Sequence, residues 1–510
     1  MTTWYVEEGS QNGNGSEAAP FGTLAAAGRV AAAGDVVVIG QGNYPETPQL
    51  PTGTIWRAAE GARVVIDGGW KGKRMADDSG KPAVAMGDGA SLAGVTIRNA
   101  LGAGVVLGND SRLMRCVIER SYANGVHLWK IKGARVEGCT ISESCIRFTV
   151  GGHQGGASVA IVDCADCEVI GNTICYGYGE GVDIGRGSKK IRVAGNIIFD
   201  HKHVQLYFVR SQECVAEGNV VFHTGDERFL TRNGRAPGGI VFGDENTAKM
   251  RTFPPMRANT VRGNLVVNMG GCLSCRNNNP ATHKDDSPYD TSLDADTLIE
   301  GNTFVAGPMT QDAVLIVPNL QGRPHGPARF RRNVVIGPAD APGNFRYEAN
   351  AWQPAPTAAL RSADDVAVAL VNAAAGALRS EYPAVGHNLR LDDYRPRPGS
   401  ALAAAGIGAL AALVIGPPEP PEEEEPPTDP PVDPEPQPGV DWDSLLERAA
   451  SIGMQVATQA EELQGVRSSI DALKERHAIL ALSNEQMAME LGELLLSLEE
   501  YKQAAESGEE

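Results

Sequence analysis

EVIGNTI at 168–174, IRVAGNII at 191–198 and CVAEGNVV at 214–221 are one short phrase written three times, with Asn172, Asn196 and Asn219 at steps of 24 and 23 residues. The same register continues upstream as VEGCTI at Cys139, MRCVI at Cys116 and AGVTI at Val95. Downstream it continues as RGNLV at Asn264, EGNTF at Asn302 and RRNVV at Asn333. A period in the low twenties with apolar alternation inside each unit is too short for a pair of helices, and a unit of that size buries its apolar face only against its neighbours. The repeat therefore predicts a parallel β-solenoid. Stacked coils lie about 4.8 Å apart, so an inward Asn reaches the Asn and backbone of the coils above and below. Asn and Gly also tolerate the left-handed backbone of a tight corner. Cys116 and Cys139 take the same column position as small buried residues.

Composition agrees with a turn-dense β-architecture: 60 Gly in 510 residues, with aromatic residues at only 5%. A net charge of -18 excludes the concentrated basic face that a nucleic-acid partner requires. No apolar run is long enough for a membrane span, and the opening MTTWYVEEGSQNG shows neither the basic nor the apolar region of a secretory signal. Nine Cys at irregular spacing read as reduced thiols. The pairs Cys164/Cys167 and Cys272/Cys275 would bind zinc only if brought together, and about four coils separate them, so they too read as buried thiols.

Near the N-terminus the order is Tyr5-Val6, a Gly/Asn-rich loop, Pro20-Phe21-x-Thr23-Leu24, an Ala-rich helical stretch over 23–33, the strand 34–39 (GDVVVI) and Gly42-x-Tyr44-x-Glu46. This order resembles the start of right-handed parallel β-helix proteins of the pectate-lyase-like superfamily. The G-N-x-[IV] units resemble its coils, and DYRPRPGS at 393–400 resembles its closing segment. The resemblance spans roughly residues 3–405. It implies an all-β, right-handed single-stranded parallel β-helix of about 10–12 coils, the helix covering the open end of the first. Boundaries are expected at 1–35 for the N-terminal cap, 36–337 for the β-helix and 338–416 for the closing segment. The superfamily holds polysaccharide lyases, glycoside hydrolases, epimerases and phage tailspikes, so the resemblance carries fold rather than activity.

Residues 417–438 hold 11 Pro and 8 acids with no base, which no folded core accommodates. In polyproline II they form a stiff spacer of roughly 70 Å, making 417–439 a linker. Beyond it, Leu445, Ile452, Gln459, Val466, Leu473, Leu480, Met487, Leu494 and Tyr501 fall in one set seven apart, and Ala449, Val456, Leu463, Ile470, His477, Asn484, Leu491 and Leu498 in another. Interleaved steps of three and four predict a coiled coil over 440–505, with a trimer favoured by Ile452 and Val466 and a dimer by Asn484.

Between Asn219 and Asn333 the steps lengthen, so loops at 225–238, 244–257 and 276–296 are expected to project from one side, with an earlier excursion at 147–156. Aligning GVHL, GVDI and HVQL places His127, Asp183 and Gln205 in equivalent outward positions. Around them fall Trp129, Tyr176, Tyr178, His201, His203, Tyr207 and His223. Rings that stack on sugar faces beside groups that fix hydroxyls suit a glycan-binding groove. A lyase in the superfamily needs a base and commonly Ca²⁺. Lys202, Lys189 or Arg210 are the available candidates for the base and Glu180, Asp183 and Asp200 for the calcium ligands, with no family catalytic motif marking any of them. A hydrolase would use paired carboxylates, with Asp226, Glu227, Asp244 and Glu245 available. A binding role requires no cofactor.

β-helix, spacer and oligomerising segment together resemble a phage tailspike or fibre. The expected function is a virion structural protein, a homotrimer presenting its β-helix to host-surface or environmental glycan, with other virion proteins and cell-surface polysaccharide as partners. The alternative is a secreted or cell-surface polysaccharide lyase acting on uronate polymers.

Overall fold

A computed structural model describes residues 1–409 except 75–79, 152–154, 232, 245–253, 255, 278–292, 294–295, 311, 317–326, 341–344, 372–388 and 390. The Pro/Glu-rich linker and the heptads lie outside the described residues.

Among the described residues a full coil takes three short strands, and each strand pairs in parallel with its equivalents on the neighbouring coils. Among the described residues this builds sheet A of 13 strands, sheet B of 12 and sheet C of 11. One coil shows the path: Arg112–Met114 in sheet A, Val117–Ser121 in sheet B, Val126–Trp129 in sheet C. The core is three aliphatic stacks, one per sheet, exemplified by Leu113, Val136 and Val169; Ile118, Ile141 and Ile174; and Val126, Val159 and Val182, all fully buried. Each such side chain contributes about 1.5–3 kcal/mol through burial, and none can do so until the next coil covers it.

At the A–B corner the chain turns in two residues, and this is where the repeated Gly-Asn lies. The first corner residue takes the left-handed conformation at Gly171, Gly195, Gly218, Gly263 and Gly301, and at Arg115 and Arg332 where glycine is missing. The second points inward. The left-handed residue is thus the one before each Asn, and the Asn supplies the hydrogen bonds. Asn219 Oδ1 accepts from the backbone N and the Nδ2 of Asn196, both at 2.9 Å, while Asn219 Nδ2 donates to Val193 O at 2.9 Å. The pattern repeats through Asn264, Asn302 and Asn333. It continues past the sequence repeat, with Asn350 Oδ1 accepting from Asn333 N and Asp365 Oδ1 from Asn350 N. Upstream, Cys139 N donates to Asn172 Oδ1 and Cys116 N lies 3.4 Å from Cys139 Sγ, so the two cysteines occupy the column as expected. All nine cysteines are free and buried.

The helix Leu24–Val30 buries Leu24 and Ala27 over the first coil. Thr23 caps it by accepting from Ala26 N, and Glu46 closes its remaining donors by accepting from Leu24 N and Ala25 N at 2.9 Å each. That gives the Gly-x-Tyr-x-Glu phrase a physical role at the helix N-terminus. Two boundaries differ from expectation. Thr3–Val6 already forms the first strand of sheet A, paired with Val36–Ile39, and strands continue past 337 to Ala351–Gln353. The coil persists wherever a strand can add its backbone to the preceding rung, which the Asn phrase alone does not mark.

The long connections leave from two corners rather than from one side. Residues 143–156 and 223–237 lie between sheets B and C, while 245–259 and 278–297 lie between sheets C and A. Two intervening coils separate the first pair.

Candidate functional site

The B–C corner turns tightly on the two coils that carry Tyr178 and Lys202-His203, and swells into excursions on the coils before and after. The excursions stand three coils apart, about 14 Å, so they form two walls with a two-coil floor. The first wall holds the short 3-10 turn Ile146–Val150 and the second the 3-10 turn Glu227–Phe229. Between them lies a cleft of about 770 Å³ lined by Phe148, Thr149, Tyr178, Lys202, His203, Arg228 and Thr231. That volume and mixture suit a small polar ligand or one or two sugar rings.

Each wall is held in place by polar and aromatic contacts. Asp226 caps the second turn by accepting from Arg228 N, and its carboxylate grips the Arg228 guanidinium at 2.6 Å and 3.1 Å. Burial disfavours the Asp226 charge, but the Arg228 hydrogen bonds outweigh it and hold the carboxyl below its ordinary range. Arg228 spreads over the faces of Phe229 at 5.1 Å and Tyr176 at 6.0 Å, and Phe229 packs on Tyr178 at 5.4 Å. Lys202 Nζ lies 3.4 Å from Arg228 O. Phe148 meets His203 edge-on at 5.6 Å. Burial, aided by Lys202, pushes the His203 pKa down, so the imidazole is neutral at pH 7 and the charge facing the cleft is that of Lys202 and Arg228.

A buried network lies under this corner. Asp200 accepts from Thr224 N at 2.9 Å and Thr224 Oγ1 at 2.6 Å. His223 Nδ1 accepts from Gly225 N at 2.9 Å, and Nε2 donates to Phe229 O at 3.4 Å. Desolvation raises the Asp200 pKa and lowers that of His223. Alongside, His201 donates from Nδ1 to Gln205 Oε1 at 2.8 Å and accepts from Ser158 Oγ at 2.9 Å, while Gln205 Nε2 donates to His201 O and His203 O. Burial pushes His201 down to about 4.

The structure redistributes the candidates drawn from sequence. Of the three proposed bases only Lys202 reaches the cleft. Lys189 is paired with Glu213 at 2.8 Å on the exposed C–A corner, and Arg210 is buried. Gln205, His201 and His223 are fully buried. Gln205 is therefore not an outward residue: the register pairs Asp183 with Tyr207, so HVQL was matched two residues out of step with GVDI. Gln205 instead takes the corner position of Gly181 and Gly125, where a side chain points inside. His127, Asp183 and Tyr207 share one outward column of sheet C, with Ala160 between the first two, and Trp129 stands two positions along at 57% exposure. Tyr207 is buried there against Val209 and Val241.

Glu180, Asp183 and Asp200 do not form a calcium cage. The first two belong to sheet C, whereas Asp200 sits buried on sheet B with both oxygens turned to Thr224. No group of three metal-ligating side chains forms among the described residues. Asp226 is committed to Arg228, Glu227 is exposed beside it, and the Asp244 side chain and Glu245 lie outside the described residues. Phe148, Thr149, Arg228 and Thr231 were missed. Their signal was a bulky aromatic inside each excursion, Phe148 and Phe229, where loop tips are ordinarily polar.

Residues 83–287 match the family model described as the right handed beta helix region. A comparison with curated protein sequences finds no match. Solved structures with a similar coil include pectate lyase Pel9A, at 15% identity and TM-score 0.44 over 71% of this chain and 82% of that one. A polygalacturonase from Erwinia carotovora ssp. carotovora gives 10% identity and TM-score 0.43 over 71% and 94%, and the Dettilon tailspike protein 14% and 0.37 over 62% and 55%. The matched region and the three-sheet coil together show that the described residues form a right-handed parallel β-helix.

Proposed function

We propose that this protein binds glycan, as a virion fibre or spike that presents its β-helix to host-surface or environmental polysaccharide. The observation that carries the reading is the B–C cleft, where the rings of Phe148 and Tyr178 share the lining with the side chains of Lys202 and Arg228. Ring faces take the apolar side of a pyranose, and Lys202, beside an Arg228 whose charge Asp226 already offsets, favours an acidic sugar. The sequence supports display over turnover, since the acidic spacer and heptads at 417–505 suit a multivalent homotrimer, whose avidity exceeds that of one cleft. The polysaccharide lyase remains the second reading because Lys202 stands in the cleft, where a base acting on a uronate would be needed.

Calorimetry of the full chain against acidic and neutral oligosaccharides tests the proposal. Binding of the acidic set that falls at least tenfold in Tyr178→Ala supports it, and no binding across a broad panel overturns it. Unsaturated uronate products, lost in Lys202→Ala, would move the assignment to the lyase. Light scattering of the full chain at several concentrations tests the trimer, and a monomeric mass would remove the fibre reading.

A further inference from the structure

From the coil of Asn196 onward, the outward face of sheet B next to the A–B corner is mostly apolar where a solvated face would be polar. One outward column runs Ile197, Val220, Leu265, Thr303, Val334, Ala351 along successive coils. Its later part is covered, because Leu402 and Ile407 pack into one cluster with Leu265, Val334 and Ala351. Coverage stops short of its beginning, where Ile197 is 43% exposed and Val220 partly so.

The covering chain is heading toward that uncovered part. Gly408 N donates to Arg332 O at 2.9 Å and Ala409 N to Thr303 Oγ1 at 2.9 Å, so two successive residues sit on two successive coils and the chain runs back toward the N-terminal end. Ahead of it lies a groove of about 740 Å³ along the A–B corner, with Gly408 and Ala409 at one end and Ile170 and Ala194 at the other. The next residues, 410–416, read LAALVIG, after which the composition turns to Pro and Glu. Six extended residues span about 20 Å, and the four coil steps from Asn302 back to Asn172 span about 19 Å. The apolar run ends, at Gly416, where the groove does.

We propose that residues 410–416 bind this groove in extended form, covering Val220 and Ile197, so that the chain doubles back and Gly416 ends beside the coil of Asn172. This does not depend on the glycan reading. It places residue 416 at the A–B corner, away from the B–C cleft and several coils from where the β-helix ends.

The test places photoreactive benzoylphenylalanine at Ile197 in the full chain, followed by irradiation, digestion and mass spectrometry. The expected product is a cross-link within one chain to the peptide holding 410–416. Its yield should fall at least tenfold in the double variant Leu413→Asp, Val414→Asp, while the far-UV spectrum stays that of the parent. A cross-link joining two chains would assign the groove to a second copy and overturn the proposal. A yield no higher than from the same label at exposed Trp129 would overturn it as well.

Discussion

At the A–B corner the chain turns in two residues on coil after coil, whereas at the B–C corner it turns in two residues at 178–179 and in fifteen at 223–237. The short corner has one solution, a left-handed residue followed by an inward side chain that bonds the next coil, and so it imposes Gly-Asn on the sequence. The long corner is released from that geometry because the sheets on either side are already in register. What it adds to the coil is the cleft. Stability and recognition are thus divided between two corners of one repeat, as expected when a rigid scaffold positions variable loops.

Substitutions on either side should separate the two roles. Asn219→Ala removes an acceptor for two donors, leaves Val193 O without its Nδ2 donor and leaves Asn264 Oδ1 with only the backbone N of residue 219, so we expect a loss of about 3 kcal/mol by chemical denaturation. A loss well under 1 kcal/mol would mean that backbone pairing carries the corner without the ladder. Under the B–C corner, His201 has its pKa depressed from 6.5 to about 4. The unfolded chain therefore binds the extra proton first, and stability falls as pH drops from 6.5 toward 4. The His201 part of this fall is about 3 kcal/mol across that window and should be missing in His201→Gln, while the same-sign parts from His203 and His223 persist. Asp200, raised by burial, acts with the opposite sign, so the comparison must be made against the variant.

Arg228→Ala should leave the coil intact and weaken acidic-glycan binding about tenfold, near 1.4 kcal/mol, read by calorimetry. An equal loss for neutral glycans would mean that Arg228 serves the wall and not the ligand. The smallest effect is expected at Lys189→Ala, whose exposed pair with Glu213 lies on the C–A corner. It should change neither melting nor binding, and a change in binding would move the site to that corner.

Much of the coil was legible because its period is written in side chains that face inward on every turn. The three GN phrases placed the column from Asn172 to Asn219 without coordinates, and the spacing carried it to Cys116 and Asn333. Asn350 and Asp365 escaped because the last steps shorten to 17 and 15 residues. The site was less legible. Lys202, His203 and Tyr178 were named for their chemistry, but Arg228 and Phe148 come from excursions three coils apart, and no sequence spacing says that two loops face each other. Gln205 shows the same limit at the scale of one strand, where matching Val204 to Val182 moved the register by two residues and turned a buried corner residue outward.

The repeat, the inward stacks and the polar ladder are written in the residue order, because each follows from a residue type recurring at a fixed step and burying itself against its own copies. The tertiary structure alone decided which loops oppose one another, which cation reaches the cleft and which carboxylate is already spent on a hydrogen bond. Those depend on distances across coils, set by how many rungs lie between two loops and not by the residues the loops contain.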